Sequence, residues 1–138
     1  MLEAVMNNSS IKSISAEDKK RIATEFYIEF VVNLKFDLEG KYIGKSYRQH
    51  NPMIADGIEG LKAFAAHFKG LYPEVRVDFK KVFVDGDYVI THSNVFLQPN
   101  SRGMAVVDIF RFEGDKVVEH WDVIQEVPAE SMNSNTMF

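Results

Sequence analysis

Acidic, imidazole and amide side chains stand at four places inside or beside apolar runs of the β-strand type. They are His50 with Asn51, His92 with Asn94, Asp108 alone, and His120 with Asp122. Burial of a polar group costs free energy unless the group has a hydrogen-bonding partner or a use. These residues are therefore the candidates for chemistry.

A carboxyl group beside an imidazole in an aromatic-lined cavity can transfer protons. Burial raises the pKa of a carboxyl group towards neutrality, and a neighbouring imidazolium lowers it. Such a pair suits the removal of a proton next to a carbonyl group and its return elsewhere, as in isomerisation, aldol cyclisation or dehydration. This chemistry needs no cofactor and no metal. We therefore expect no cofactor. We also expect no metal, since the sequence lacks the HExxH pattern of a zinc site.

Whether the candidates meet depends on the turn at 113–116. A three-residue loop would place Asp108 opposite His120 and put Asp122 on the same face of the sheet. A two-residue loop would shift the register by one residue and place Asp108 opposite Trp121. The sequence does not decide between the two loops. We favour the first because it gathers three titratable groups on one face.

Structural interpretations stand beside the catalytic one. Asp108 also fits a structural carboxylate paired with a neighbouring arginine or with His120. His92 with Asn94 fits a structural role, or a contact between subunits, better than a catalytic one. Burial alone therefore does not separate function from packing at these positions.

The composition narrows the class of protein. The chain has 138 residues, enough for one domain, and no cysteine, so disulfides and thiolate metal sites are excluded. Its net charge of -4 is opposite to the basic excess of a phosphate-binding surface, and we expect no nucleic-acid partner. We also expect no membrane partner and a cytoplasmic location, because no membrane-length apolar stretch and no secretory signal pattern occur.

The spacing of apolar residues predicts three helices followed by long strands. The first helix begins after Ser15 as N-cap and runs to about Leu34. A short second helix ends at Gly44, and a third follows the turn at 56–57. Strands are expected at 75–84, 88–97, 104–112 and 117–126.

Helices first and antiparallel strands afterwards indicate an α+β domain. We place it at 15–128, between a frayed tail at 1–14 and a polar tail at 129–138. The strands are apolar on both faces, and a few short helices cover only one face of such a sheet. A second copy is the simplest cover for the other face, so a homodimer packed sheet to sheet is expected.

The order of elements and three motifs resemble the SnoaL-like family, polyketide-cyclase relatives within the nuclear transport factor two-like superfamily. The motifs are His-Asn-Pro at 50–52, Asp-Ile-Phe-Arg at 108–111 and Glu-His-Trp-Asp at 119–122. The resemblance extends from about Ser15 to Pro128. It implies a cone, in which a curved antiparallel sheet wraps around three N-terminal helices and a deep apolar pocket lies at the open end.

The resemblance also implies roles for single residues. The family's cyclases use an Asp on the last strand as acid and base during aldol closure, and Asp122 matches it. The position of Asp108 holds His in those cyclases and Asp in related epoxide hydrolases. Asn51 stands where ketosteroid isomerases carry a general-base carboxylate. An amide is not a base, which argues against that reaction. His50 is the alternative general base if the chain around it points its side chain inward.

The sequence thus predicts a protein that binds a small hydrophobic carbonyl compound, with Asp122, His120, Asp108 and His50 as catalytic candidates. The residues expected to line its pocket are Tyr27, Phe30, Asn51, Phe64, Phe68, His92, Phe110 and Trp121. The alternative is a non-catalytic ligand-binding or interaction module of the same fold, because a fold does not fix a function.

Overall fold

The first helix begins where the sequence provides a side-chain cap. In the computed structural model, which describes residues 14–138, α1 spans Ala16–Glu25. The Ser15 hydroxyl accepts a hydrogen bond from the Asp18 amide at 3.0 Å, which satisfies one of the amide groups that lack a partner within the helix. Of the predicted tail at 1–14, only Ile14 lies among the described residues, and it packs against the core.

α1 continues as a π-helical segment, Phe26–Val32, rather than as the regular α-helix that was expected. Leu34, with a φ of 59°, ends it. Extra-wide turns of this kind re-aim side chains and are frequent at functional sites. Here the segment carries Tyr27 and Val31, which both line an internal hollow.

The expected second helix is shorter than predicted. A 3₁₀ turn, Phe36–Leu38, and helix α2, Glu39–Tyr42, lead directly into strand β1, Ile43–Gln49. Gly44 therefore lies within the strand and does not end a helix. A Cβ at this position would lie 2.9 Å from a Val118 methyl group, so the glycine allows two strands to approach closely.

The remaining elements lie close to the predicted ones. Helix α3 spans Gly57–Leu71. The strands are β2, Arg76–Asp85; β3, Tyr88–Phe96; β4, Met104–Glu113; and β5, Lys116–Glu126. The hairpin turns contain Gly86 and Gly114, whose φ values are 57° and 59°. Glycine adopts this left-handed conformation without the steric penalty of other residues.

The five strands form one sheet in the order β1-β5-β4-β3-β2. All neighbours are antiparallel except β1 and β5, which run parallel. The sheet is therefore mixed, which corrects the expectation of a wholly antiparallel one. The parallel pair arises because α3 carries the chain from β1 at one edge to β2 at the opposite edge. Helices and sheet together form the expected α+β cone.

β4 and β5 pair in a register that neither predicted loop gives. The turn has two residues, and Val118 is then an extra residue in β5. This bulge shifts the later pairs so that Asp108 lies opposite Asp122. The predicted direct pairing of Asp108 with His120 is wrong. The bulge nevertheless puts all three titratable groups on the inner face, as the favoured alternative required.

Two apolar clusters fill the space between helices and sheet. The larger contains the biggest fully buried side chains, Phe26, Phe30, Tyr42, Phe110 and Phe112. The smaller, at the other end of the sheet, is built on Val75, Val95 and Val106. Within residues 14–138 no helix has the length and apolar character needed to cross a membrane.

The outer face of the sheet keeps an apolar surface. Phe83, Tyr88 and Val123 are 54%, 40% and 68% exposed. The end of the C-terminal tail packs against this face through apolar residues. Met137 and Phe138 are half-buried, and the centroid of the Phe138 ring lies 5.3 Å from that of His92. The tail thus covers part of the surface that the sequence analysis assigned to a second copy.

Candidate functional site

A narrow hollow lies between the inner face of the sheet, the π-helical segment that follows α1, and helix α3. It has two compartments of about 100 and about 60 Å³. The larger is lined mainly by aliphatic and aromatic side chains. The smaller also reaches Asp108 and His120. The residues common to both compartments are Tyr27, Val31, Ile54, Phe64 and Asp122.

Asp108, His120 and Asp122 meet at the inner compartment. Nε2 of His120 lies 2.7 Å from Oδ1 of Asp108 and 3.9 Å from Oδ2 of Asp122. Asp108 is 1% exposed and His120 is 6% exposed. Alternate residues of β4 and β5 face the same side, so the strands bring together the three groups that the sequence analysis selected.

Gln49 fixes the tautomer of His120, and the sequence analysis did not single it out. Its Oε1 accepts a hydrogen bond from the backbone N–H of Asn51 at 3.0 Å, and its Nε2 donates to the Tyr47 hydroxyl at 3.0 Å. These contacts set the orientation of the amide. The same Oε1 lies 2.8 Å from Nδ1 of His120. Because an amide oxygen only accepts, Nδ1 carries a proton.

One proton is therefore shared between His120 and Asp108. With Nδ1 protonated, the 2.7 Å contact joins either an imidazolium to a carboxylate or a neutral imidazole to a carboxylic acid. Burial raises the pKa of Asp108, and the hydrogen bond from His120 opposes that effect. The carboxyl group is thus able to hold a proton that the imidazole can take.

Asn51 holds the second carboxyl group. Its Nδ2 donates to Oδ1 and Oδ2 of Asp122 at 2.9 and 3.0 Å. Its own Oδ1 accepts from the backbone N–H of Met53 at 2.8 Å, which fixes the orientation of the amide. Since Asp122 borders both compartments, its carboxyl group lies where the polar end of the hollow meets the apolar part.

Tyr27 presents a phenol to the hollow from the π-helical segment. Burial, and then the charges of Asp108 and Asp122, raise the pKa of its hydroxyl well above the ordinary value. The phenol therefore stays protonated at neutral pH. Among residues 14–138 no hydrogen bond engages this hydroxyl, so it can donate to an oxygen atom of a ligand.

Most of the residues that the sequence predicted to line the pocket do border the hollow. Lining residues from that set are Tyr27, Asn51, Phe64, Phe68 and Phe110. Phe30 lies behind them, fully buried between the rings of Phe26 and Phe36. It supports the wall and does not line it.

The structure corrects the expectations for three other residues, which lie on the outer face. Trp121 pairs with Ile109 there, and the His50 ring stacks on it with centroids 4.6 Å apart. His92 contacts the tail. Because successive residues of a strand face opposite sides, neither Trp121 nor His92 lines the pocket, and His50 does not point inward.

The outer face has its own imidazole–carboxylate pair. Nε2 of His50 lies 2.6 Å from Oε2 of Glu119, whose Oε1 accepts from Nε of Arg111 at 2.8 Å. The hydrogen bond from His50, followed by that from Arg111, lowers the pKa of Glu119. In this outer network His50 is exposed and Glu119 is buried, and neither residue lines the hollow.

The inner group also has the composition of a metal site. One ligand atom each from Asp108, His120 and Asp122 lies within 4.8 Å of the others. The Gln49 oxygen on Nδ1 is the kind of second contact that metal-binding histidines make. The 2.7 Å contact between His120 and Asp108 is, however, a direct hydrogen bond, and the arrangement supports proton transfer without an ion.

Known structures share this architecture. A candidate polyketide cyclase from Bacillus cereus has a TM-score of 0.68 at 22% identity, with 80% of this chain and 78% of that chain covered. A SnoaL-like protein of unknown function from Burkholderia thailandensis has a TM-score of 0.65 at 16% identity, with 81% and 98% covered. A cystatin-fold protein from Novosphingobium aromaticivorans gives 0.62 at 20%, with 76% and 97% covered.

The sequence match is more specific than these structural likenesses, which at such identities support the fold alone. No curated protein matches the chain. The family profile described as SnoaL-like polyketide cyclase matches residues 21–131. Since this match takes in most of the chain and includes the whole inner polar group, the protein belongs to the SnoaL-like polyketide cyclase family.

Proposed function

We propose that the protein is a cofactor-independent acid/base enzyme that moves protons next to a carbonyl group of a small hydrophobic molecule. The reaction types that fit are aldol cyclisation, isomerisation and dehydration. The observation that carries the proposal is the 2.7 Å hydrogen bond between buried Asp108 and His120 at the inner end of an apolar hollow. A buried carboxyl group with a raised pKa beside an imidazole is typical of acid/base sites.

The residues divide the work as follows. Asp122, oriented by Asn51, takes a proton from the carbon next to the carbonyl group. The electron pair of the broken C–H bond moves to the carbonyl oxygen, where the Tyr27 hydroxyl donates a hydrogen bond to the developing charge. His120, whose Nε2 lies 3.9 Å from Oδ2 of Asp122, takes up the proton from Asp122 and supplies one back, and Asp122 returns a proton to the product. Asp108, on the same Nε2, resupplies and orients His120. Each group stands in the same compartment.

The volume of the hollow limits the ligand. Compartments of about 100 and about 60 Å³ are smaller than the roughly 300–1,000 Å³ of pockets for drug-sized ligands. An apolar cavity of about 150 Å³ is enough for benzene. The ligand we propose is therefore a single ring or a short chain.

Exchange of carbon-bound hydrogen tests the proposal. Cyclohexanone is incubated with the protein in D₂O, and entry of deuterium next to the carbonyl group is followed by NMR. We expect the wild type to accelerate exchange and Asp122→Asn to remove the acceleration. Asp85→Asn, at an exposed position on β2, is the matched control and should behave as wild type.

The outcome separates the enzyme from a binding module. Acceleration that survives in Asp122→Asn would contradict the assigned role. No acceleration with cyclohexanone and other small ketones, together with loss of stability in both Asp122→Asn and Asp108→Asn, would favour the non-catalytic alternative. In that case the polar group is structural, because catalytic residues are usually neutral or unfavourable for stability.

We further propose that a second copy of the chain packs on the outer face of the sheet. The exposed Phe83, Tyr88 and Val123 support this, because apolar surface of this kind marks interaction sites. Sedimentation at micromolar concentration should give a dimer. Val123→Lys should give a monomer with an unchanged fold, and a monomeric wild type would refute the dimer. Deletion of 137–138 should strengthen the dimer if the tail competes for this surface.

A further inference from the structure

A single lysine lines the otherwise apolar compartment of the hollow. Lys69, near the end of α3, is half-buried and contributes to the larger compartment but not to the smaller one. It is the one lysine or arginine in the lining of either compartment among residues 14–138. Lys69 forms no ion pair with any other residue in the range 14–138.

The order of residues along α3 shows where Lys69 stands. Leu61 borders only the inner compartment, Phe64 borders both, and Lys69 borders only the outer one. At a rise of 1.5 Å per residue, Leu61 and Lys69 are about 12 Å apart along the helix. The hollow therefore has a polar inner end and a cationic outer end, separated by about this length of apolar wall.

β4 gives the same order independently. Asp108 borders the inner compartment, while Val106 and Met104 border the outer one. Four residues of strand span about 13 Å. The acid/base group and Lys69 thus lie at opposite ends of one elongated space, and the two elements that flank it agree on its length.

The charges at the two ends favour one orientation of a charged ligand. The Asp108–His120 pair has no net charge in either proton arrangement, so Asp122 repels an anion from the inner end, and Lys69 attracts it to the outer end. Lys69 is half-buried as a residue and has no anionic partner among residues 14–138, so no ion pair offsets the hydration that its ammonium group loses. A carboxylate on the ligand would supply that partner.

We infer that the ligand is a small oxo acid, a short-chain or single-ring carboxylate whose carbonyl group lies several carbon atoms from the anionic end. Lys69 binds the carboxylate, the apolar wall binds the carbon chain, and the carbonyl group reaches the inner polar group. The inference rests on the proposed function for the inner end. The new claim is that Lys69 binds the anionic end of the ligand. Binding measurements test this claim without any turnover.

Two unreactive probes of equal length make the test. Hexanoate carries a carboxylate, and hexanamide has the same chain without the charge. Binding is followed by NMR through the methyl groups of Val95 and Val106, which line the outer compartment. We expect hexanoate to bind about fivefold more tightly than hexanamide, as for a partly exposed ion pair, and added salt to reduce this difference.

Three variants assign the difference to Lys69. Lys69→Gln should lower the affinity for hexanoate about fivefold and leave hexanamide unchanged. Lys69→Arg should keep the preference. Lys45→Gln, at an exposed position of β1 that does not line the hollow, is the matched control for loss of one positive charge. Thermal unfolding of each variant shows whether the fold is intact.

The outcomes separate the inference from the proposed function. Equal binding of both probes to the wild type would overturn the anionic end and leave the proton chemistry standing. A hexanoate preference that persists in Lys69→Gln but disappears in His120→Gln would place the carboxylate at the inner end and also overturn it. If the protein does not accelerate deuterium exchange into cyclohexanone but still prefers hexanoate through Lys69, the proposed enzymatic activity is refuted and the acid-binding site stands.

Discussion

Two imidazole–carboxylate pairs lie on opposite faces of the sheet, and their surroundings differ. On the inner face, His120 and Asp108 are 2.7 Å apart. On the outer face, His50 and Glu119 are 2.6 Å apart. Glu119 and His120 are neighbours in β5, so the two pairs share residue types, contact distances and a strand.

The surroundings of each pair decide what its proton does. Burial raises the pKa of Asp108, whereas hydrogen bonds from His50 and Arg111 lower the pKa of Glu119. The outer carboxyl group therefore gives up its proton more readily than an ordinary one, and the inner carboxyl group holds its proton more tightly. Proximity alone does not make an acid/base group; exclusion of water and a shortage of cationic partners do.

The largest expected difference between the two pairs is in proton exchange. His120→Gln should reduce deuterium entry into cyclohexanone by about 100-fold or more, because general acid/base groups contribute on that order. His50→Gln removes the same side chain from the outer pair and should change the rate by less than about twofold. Equal losses in the two variants, measured by NMR under identical conditions, would break the distinction.

A smaller effect is expected from the residue that fixes the tautomer of His120. Gln49→Leu removes the acceptor of the Nδ1 proton, so the proton should redistribute between the two ring nitrogens. Nitrogen NMR of the His120 ring should record this shift, and exchange into cyclohexanone should fall by at least about tenfold. Gln125→Leu, at an exposed position of β5, is the control. An unchanged ring spectrum in Gln49→Leu would refute the assignment.

The smallest effects are expected in stability, and their signs should be opposite. The folded protein binds the Asp108 proton more tightly than the unfolded chain does, so Asp108 destabilises the fold as pH rises above 3.8. Asp108→Asn should therefore raise the free energy of unfolding at pH 7, on the order of 1 kcal/mol. The advantage should disappear as pH falls towards 3.

The outer carboxylate should behave in the reverse manner. Its pKa is below 4.5 in the folded protein, so its contribution is present above that pH and is lost as pH falls through the lowered value. Glu119→Gln should reduce the free energy of unfolding at pH 7 by about 1 kcal/mol or less. Denaturant titrations of both variants from pH 3 to pH 8 measure the two trends, and trends of the same sign would refute the comparison.

The sequence predicted the elements well and the side-chain directions less well. Helix caps, hairpin glycines and apolar spacing located the helices and strands because these signals are local. The inward group at Asp108, His120 and Asp122 was also found, since polar residues in apolar strands are conspicuous. The π-helical segment and the parallel pairing of β1 depend on packing between distant elements, and no local signal reports them.

The misplaced site residues have one physical cause. The sequence of a strand shows which residues share a face but not which face points inward. β1 has only seven residues, so its pattern of apolar residues is short. Gln49, and not His50, contacts the inner polar group because β1 pairs with β5 so that Gln49 lies beside His120. The extra residue Val118 likewise packs against Gly44, a contact between segments far apart in the chain.

The protonation of the two carboxyl groups tests the account most directly. Carbon NMR of the side-chain carboxyl groups, followed from pH 2 to pH 9 in the wild type, reports each titration separately. We expect the pKa of Asp108 to lie above 3.8 and the pKa of Glu119 to lie below 4.5, shifted from their ordinary values in opposite directions. An Asp108 carboxyl group that loses its proton at or below 3.8 would contradict it.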